Sequence, residues 1–336
     1  MINEAIRKLS LKKDLTEDEA RMVINQIMNR EATSSQIGAF LLGLKIKGET
    51  TDEILGTIRA LRENMIKIDV DRNNLIDTCG TGGDGGKTFN ISTASAIIAA
   101  SGGVKVAKHG NRAISSKSGS ADVLKELGID INMKKEDSER DILNKGMSFL
   151  FAPNYHNAMR NVANERAELK IRTIFNLVGP LSNPAPLTGQ LLGVYDDKVM
   201  KTIAEVLAKL GLNRALIVHG DDGLDEITTT TTTSIYEVTL GEIKNYKLNP
   251  ENLGIKKASL KDISGGNPKE NSKIILDILK GNKGPKRDIV VLNSAAALYV
   301  GEIVDSIEEG IIKAKFLIDS GLAYKKYIQL SNKGVS

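Results

Sequence analysis

Apolar residues recur at helical spacing through the first 70 positions, and the period changes after them. Two capping boxes punctuate this region, Thr16 with Glu19 and Thr50 with Glu53, each with the three-residue offset that lets side chain and backbone satisfy one another at a helix start. Between them Ile37, Phe40, Leu41, Leu44 and Ile46 form an apolar stripe suited to a core, with a subunit contact as the other reading. Asp71-Arg72-Asn73-Asn74 reads as a linker. From Leu75 the pattern becomes strand, loop, helix, repeated: a strand over 75–78, a helix over 93–100 closed by Gly102-Gly103, a second strand over 104–107, and a helix over 120–127 ended by Gly128. Helical character returns over 156–178 and is expected to stop at Gly179-Pro180, before a proline-bearing connection over 181–186. Strands are expected over 190–194, 215–219 and 235–238, with helices over 198–210, 272–279, 294–300 and 305–318. No long internal repeat interrupts this series. The run Thr228 to Thr233 is compatible with a strand or a surface loop.

The densest signal lies between the first strand and the alanine-rich helix. Residues 77–93 read Asp-Thr-Cys-Gly-Thr-Gly-Gly-Asp-Gly-Gly-Lys-Thr-Phe-Asn-Ile-Ser-Thr. Glycines let backbone N–H groups approach an anion, and the following helix start adds unpaired donors, so the loop suits phosphate. Two familiar patterns fail on it. Gly80, Gly82 and Gly85 satisfy G-x-G-x-x-G, but the acid that a dinucleotide fold places roughly 20 residues on is missing. Gly86-Lys87-Thr88 resembles the end of a Walker A loop, yet its first glycine would have to stand at Thr81.

Composition narrows the setting. The 336 residues can bury a large core in one or two domains, and no window approaches the roughly 18 apolar residues of a membrane span. The N-terminus lacks the apolar stretch of a signal peptide, so a cytoplasmic location is expected. Cys79 is the one cysteine, which excludes an internal disulfide; beside the glycine loop it reads as a small filler before it reads as a nucleophile. A net charge of +4 is mild, suits anionic metabolites, and does not argue for nucleic acid.

Two more clusters carry chemistry. Lys108, His109, Asn111, Arg112 and Lys117 fall within ten positions among Ser115, Ser116, Ser118 and Ser120, at the carboxyl end of a strand. Cations with hydroxyls there suit phosphate oxygens, and in a parallel sheet this loop and the glycine loop are expected to face one crevice. Asp225-Glu226 follows a strand and the turn Asp221-Asp222-Gly223, a position from which adjacent carboxylates can hold Mg²⁺ together with substrate phosphates.

Six blocks now stand in order: Gly80 to Asp84, Asn90 to Thr93, Lys108 to Arg112, Ser118 to Asp122, Arg172 to Asn176 with Gly179-Pro180-Leu181, and Leu224-Asp225-Glu226. Together they resemble the anthranilate phosphoribosyltransferases, in order and spacing from about residue 3 to the C-terminus. The resemblance implies an α/β fold of the nucleoside phosphorylase/phosphoribosyltransferase type, with a mainly parallel central sheet flanked by helices and a smaller all-α domain. The helical domain would comprise residues 1–70 and about 155–185, and the α/β domain 75–150 and about 187–336, with hinges near 71–74, 151–155 and 180–187. Homodimers would form through the helical domains.

The implied reaction joins anthranilate to 5-phospho-α-D-ribose 1-diphosphate with release of diphosphate, in tryptophan biosynthesis. By the family pattern, Gly80, Gly83, Asp84, Thr88, Asn90, Ile91, Ser92, Thr93, Lys108, His109, Gly110, Asn111, Arg112, Ala113, Ile114, Ser115, Ser116 and Ser120 would bind the phosphoribosyl diphosphate. Ser92, Asp225 and Glu226 would hold Mg²⁺. Gly80, Asn111 and Arg166 would contact anthranilate, with His109 and His156 lining its route. Arg166 would orient the substrate, with no single essential acid or base. Asn164-Glu165 stands where relatives often have Pro-Val, and Glu165 either competes for Arg166 or faces solvent. Two other readings are weighed. A pyrimidine nucleoside phosphorylase would need nucleoside motifs not found here, and a non-catalytic nucleic-acid-binding relative would need a broad basic face.

Overall fold

Three of the first four helices begin on reciprocal caps. A computed structural model describes residues 1–82, 86–113 and 118–331, and in it α1 (Ile2–Ser10), α2 (Glu17–Met28), α3 (Ser34–Lys47) and α4 (Thr51–Glu63) open the chain. Thr16/Glu19 and Thr50/Glu53 cap α2 and α4 as their spacing indicates, and Thr33 with Gln36 makes a third box with an amide in place of the acid. Glu53 does more than cap. Fully buried, its carboxylate accepts from the Leu15 and Thr50 amides at 2.9 Å each and from Lys47 Nζ at 3.0 Å, so its charge is satisfied inside the bundle. Within the apolar stripe Ile37, Phe40, Leu41 and Leu44 are core, whereas Ile46 is 66 % exposed.

The chain then enters the sheet with β1 (Leu75–Gly80), α5 (Ile91–Ser101), β2 (Lys105–Gly110), α6 (Ser120–Glu126), α7 (Lys135–Lys145) and β3 (Met147–Phe151). It leaves through α8 (Ala152–Tyr155), a 3₁₀ turn over Asn157–Val162, α9 (Ala163–Leu169) and α10 (Ile174–Leu181). The single helical stretch expected over 156–178 is therefore broken, with Lys170 at φ 50° closing α9. Nor does α10 stop at Gly179-Pro180. Pro180 lies in its last turn, where it gives up one i→i−4 hydrogen bond, and the helix reaches Leu181. The chain returns to the sheet with β4 (Gly189–Gly193), α11 (Met200–Lys209), β5 (Arg214–Gly220), β6 (Thr233–Thr239) and β7 (Glu242–Leu248). Four helices finish it: α12 (Pro268–Leu279), α13 (Pro285–Val300), α14 (Ile307–Asp319) and α15 (Leu322–Leu330).

Two units result, Met1–Lys67 with Ala152–Pro184 and Ile68–Phe151 with Ala185–Ser336. The second holds a seven-stranded sheet in the order β3-β2-β1-β4-β5-β6-β7, parallel from β1 to β5 and antiparallel at β6 and β7. Its core gathers the apolar faces of α5, α13, α14 and α15 with the sheet, and α5 is buried on nearly every side, which is why it is rich in alanine. The threonine run divides: Thr233 begins β6, and Thr228 to Thr232 precede it as a loop.

The register positions the site. β1 pairs with β2 only at Leu75↔Lys105 and Ile76↔Val106. Beyond that point β1 stays with β4 as far as Gly80↔Gly193, while β2 stays with β3 as far as Gly110↔Phe151. The hydrogen-bond ladder between β1 and β2 lapses toward their carboxyl ends, next to the point between β1 and β4 where the strand order reverses and ligands bind in open parallel sheets.

Candidate functional site

Side chains replace the missing ladder where β1 and β2 part. Lys108, 1 % exposed, reaches from β2 and donates to the Thr78 carbonyl, to Thr78 Oγ1 at 3.5 Å and to Ser92 Oγ at 3.3 Å. Asp77, fully buried on β1, accepts from the His109 amide at 3.2 Å. Burial pushes the Lys108 ammonium below its usual range, and Asp77 first, with Glu226, opposes that shift. Three elements therefore meet around one cation: the end of β1, the end of β2 and the first turn of α5.

The helix start is joined to the acidic pair. Asn90 is the N-cap of α5, Ile91, Ser92 and Thr93 form its first turn, and the Ser92 amide donates to Glu226 Oε1 at 3.1 Å. Ile91 and Thr93 are buried, and their amides donate to the Phe89 carbonyl at 2.7 Å and the Asn90 carbonyl at 3.2 Å. Asp225 lies across two glycines. A Cβ on Gly80 would fall 2.6 Å from Asp225 Oδ2, and one on Gly193 would fall 1.7 Å from the Asp225 carbonyl oxygen. Glycine at both strand ends is what lets the acidic loop close over β1 and β4.

The second cationic loop is built around Asp122. Its Oδ2 accepts from the Ala113 amide at 3.0 Å and the Gly119 amide at 3.1 Å, and its Oδ1 lies 3.6 Å from Arg112. Gly110 admits Ser120, whose Oγ would stand 2.4 Å from a Cβ there and donates to the Asn111 carbonyl at 3.4 Å. Asn90 links this loop to α5: it donates to the Ser118 carbonyl at 3.2 Å, while its Oδ1 accepts from Ser118 Oγ at 3.1 Å and from Asn271 Nδ2 at 3.0 Å. Thr88 pairs in an isolated bridge with Ser264.

Of the residues singled out in the sequence, Gly80, Asn90 to Thr93, Lys108 to Ala113, Ser120, Asp225 and Glu226 are thus connected within the second unit. Gly83, Asp84, Ile114, Ser115 and Ser116 lie outside the described residues. Arg166 and His156 belong to the first unit. Arg166 lies over the Phe175 ring at 5.5 Å, burial lowers its pKa, and no carboxylate pairs with it among the described residues. Glu165 does not compete for it, accepting instead from Ser34 Oγ at 2.7 Å. Burial brings the His156 imidazole down to about 4, so this ring is neutral near pH 7.

Cys79 is no nucleophile. Burial, with Asp77 adding to it, raises its thiol well above the ordinary range, and Gln190 Nε2 donates to Sγ at 3.2 Å. Sequence reasoning missed Asp77 and Gly193. A glycine inside a strand pattern was the available signal for Gly193.

The donors near α5 are oxygens: two adjacent carboxylates and the Ser92 hydroxyl. Among the described residues no group of three or more His, Cys, Asp or Glu converges. A pair of carboxylates beside an anion-binding helix start is the donor set that Mg²⁺ shares with phosphate and water.

Residues 72–324 match the glycosyl transferase family a/b domain, and residues 3–65 match the helical bundle domain of the same family. The chain is 67 % identical to the anthranilate phosphoribosyltransferase of Clostridium beijerinckii, over 99 % of this chain and 98 % of that one. Among solved structures, the anthranilate phosphoribosyltransferase of Thermus thermophilus superposes with a TM-score of 0.92 at 41 % identity, covering 97 % of this chain and 98 % of that one. The Saccharomyces cerevisiae enzyme, solved in complex with PRPP and Mg, superposes with a TM-score of 0.88 at 28 % identity, covering 97 % of this chain and 95 % of that one.

Proposed function

The chain belongs to the anthranilate phosphoribosyltransferase family, and from that premise we propose that it transfers phosphoribosyl from 5-phospho-α-D-ribose 1-diphosphate to the amine of anthranilate, a step of tryptophan biosynthesis. The observation that carries this reading is the meeting, at one sheet end, of the buried Lys108 ammonium, the α5 N-terminus and the Asp225-Glu226 pair.

The residues divide the work. The amine nitrogen attacks the anomeric carbon, the bond from that carbon to the diphosphate oxygen breaks with its electron pair, and the nitrogen passes its proton to the departing diphosphate or to water. An arylamine is neutral at pH 7 and its lone pair is available, so no strong base is required. The harder part is departure of the diphosphate. The glycine loop, Asn90 to Thr93, Lys108 and the loop from His109 to Ser116 bind its phosphates and stabilise the charge it gains. Gly80, Gly83, Asp84, Thr88 and Ser120 complete that phosphoribosyl diphosphate site. Asp225, Glu226 and Ser92 hold Mg²⁺, which when bound neutralises part of the leaving group's charge. Arg166 accepts the carboxylate of anthranilate in a bidentate grip and aims the amine, with Gly80 and Asn111 as further contacts and His109 and His156 along the route. Arg166 is suited to this because it lies over the Phe175 ring and carries no internal counter-charge among the described residues.

The chain pairs as a homodimer through the outer side of α3, where Leu42 is 42 % exposed and Ile46 66 % exposed. It works in the cytoplasm on soluble metabolites; no helix among the described residues is long and apolar enough to cross a membrane. Diphosphate release tests the reaction. The purified chain is expected to release diphosphate only when anthranilate, phosphoribosyl diphosphate and Mg²⁺ are all present, and to stop when the metal is chelated. Release that ignores anthranilate would refute the assignment.

A further inference from the structure

We propose that Asn293, on α13, is a positioning residue for the acidic pair, an inference that rests on the reading of Asp225 and Glu226 as Mg²⁺ ligands. Asn293 is fully buried, and its side chain makes three hydrogen bonds. Its Oδ1 accepts from the Ile227 amide at 3.0 Å, and its Nδ2 donates to the Ile227 carbonyl at 2.8 Å and to the Ile289 carbonyl at 2.9 Å. Both backbone groups of one residue, the residue directly after Glu226, are therefore fixed by one side chain from a helix 66 positions further along the chain.

The other end of the same loop is tied by Asp222. The Gly220 amide donates to the Leu224 carbonyl at 2.8 Å, the Leu224 amide donates to Asp222 Oδ1 at 3.1 Å, and Thr228 Oγ1 donates to Asp222 Oδ2 at 2.7 Å. Asp225 and Glu226 form the short span between these ties. Asn293 holds the side nearer Glu226, whose carboxylate meets the first turn of α5.

The cost of this arrangement argues for its purpose. α13 is packed into the core with Ile289, Val290, Val291 and Leu292 all fully buried, and an apolar side chain at 293 would suit that setting. It would also leave the Ile227 N–H and C=O buried without partners and release the backbone next to Glu226. The amide exchanges a simple core contact for a fixed peptide plane, as a ligand with demanding octahedral geometry requires.

The test is a double-mutant cycle of Asn293→Ala and Glu226→Gln, read by calorimetric titration of phosphoribosyl diphosphate at several Mg²⁺ concentrations, with thermal unfolding to show that each variant is folded. Asn293→Ala is expected to weaken Mg²⁺-dependent binding about tenfold. Binding without Mg²⁺ and the KM for anthranilate are expected to change by less than about twofold, and the effect is expected to vanish in the Glu226→Gln background. If Asn293→Ala does not fold, the isosteric Asn293→Asp enters the same cycle with the same expectations. Additive losses, equal losses for both substrates, or an unchanged Mg²⁺ dependence in a folded Asn293 variant would overturn the inference alone. An unchanged Mg²⁺ dependence in Glu226→Gln would overturn the metal reading on which it rests.

Discussion

Arg166 and Lys108 are both cations moved from water into the protein, and they are held in opposite ways. Lys108 is enclosed, with a carbonyl and two hydroxyls around its ammonium and Asp77 accepting from the next amide of β2, that of His109. It shapes the sheet end even without a ligand. Arg166 rests on an aromatic face and has no carboxylate among the described residues, which leaves its planar fork for an incoming anion. Substituting Arg166 by Ala is expected to raise the KM for anthranilate on the order of tenfold to a hundredfold, the worth of a charge-assisted bidentate contact. The KM for phosphoribosyl diphosphate should stay nearly constant. Arg166→Lys should recover little of the loss, because one ammonium cannot reproduce a fork. Equal effects on the two substrates would refute the role.

At the level of elements, the site depends on how closely backbones approach. Gly193 closes β4 directly under Asp225, and a Cβ there would collide with the Asp225 carbonyl oxygen. Gly193→Ala is expected to displace the acidic loop and lower kcat/KM by on the order of a hundredfold, the scale on which a misplacement near 1 Å acts. Its far-ultraviolet circular dichroism should match that of the unsubstituted chain. A fully active Gly193→Ala would show that the loop does not need this contact. Such dependence also explains what the sequence disclosed. β1, β2 and α5 were legible because apolar runs, capping residues and a glycine-rich loop are local signals. β7 was not: six of its seven residues are exposed, and the turn before it uses Leu240 at φ 50° with Gly241, not the usual Asn-Gly. The long start of α13 was hidden by Asn293, polar in type but fully buried, and by the β-branched run Ile289-Val290-Val291 before it. The ligand loops stood out by composition, whereas Asp77, Gly193 and Asn293 matter only through partners distant in sequence, and a one-dimensional pattern does not carry that information.

For the whole molecule, the two units differ in the chemistry of the side chains they carry. The sheet-bearing unit carries the oxygen donors, amides and ammonium suited to diphosphate and Mg²⁺, and the helical unit carries Arg166, His156 and the exposed side of α3. Light scattering at micromolar concentration is expected to give twice the chain mass, and Leu42→Glu with Ile46→Glu is expected to give the single chain. A monomer before substitution would contradict pairing through α3. The central claim, transfer of phosphoribosyl to an aromatic amine, is tested most directly by the fluorescence of anthranilate itself. Incubated with the purified chain, phosphoribosyl diphosphate and Mg²⁺, that fluorescence is expected to fall to completion in proportion to the limiting substrate. Constant fluorescence with all three components present would contradict the account.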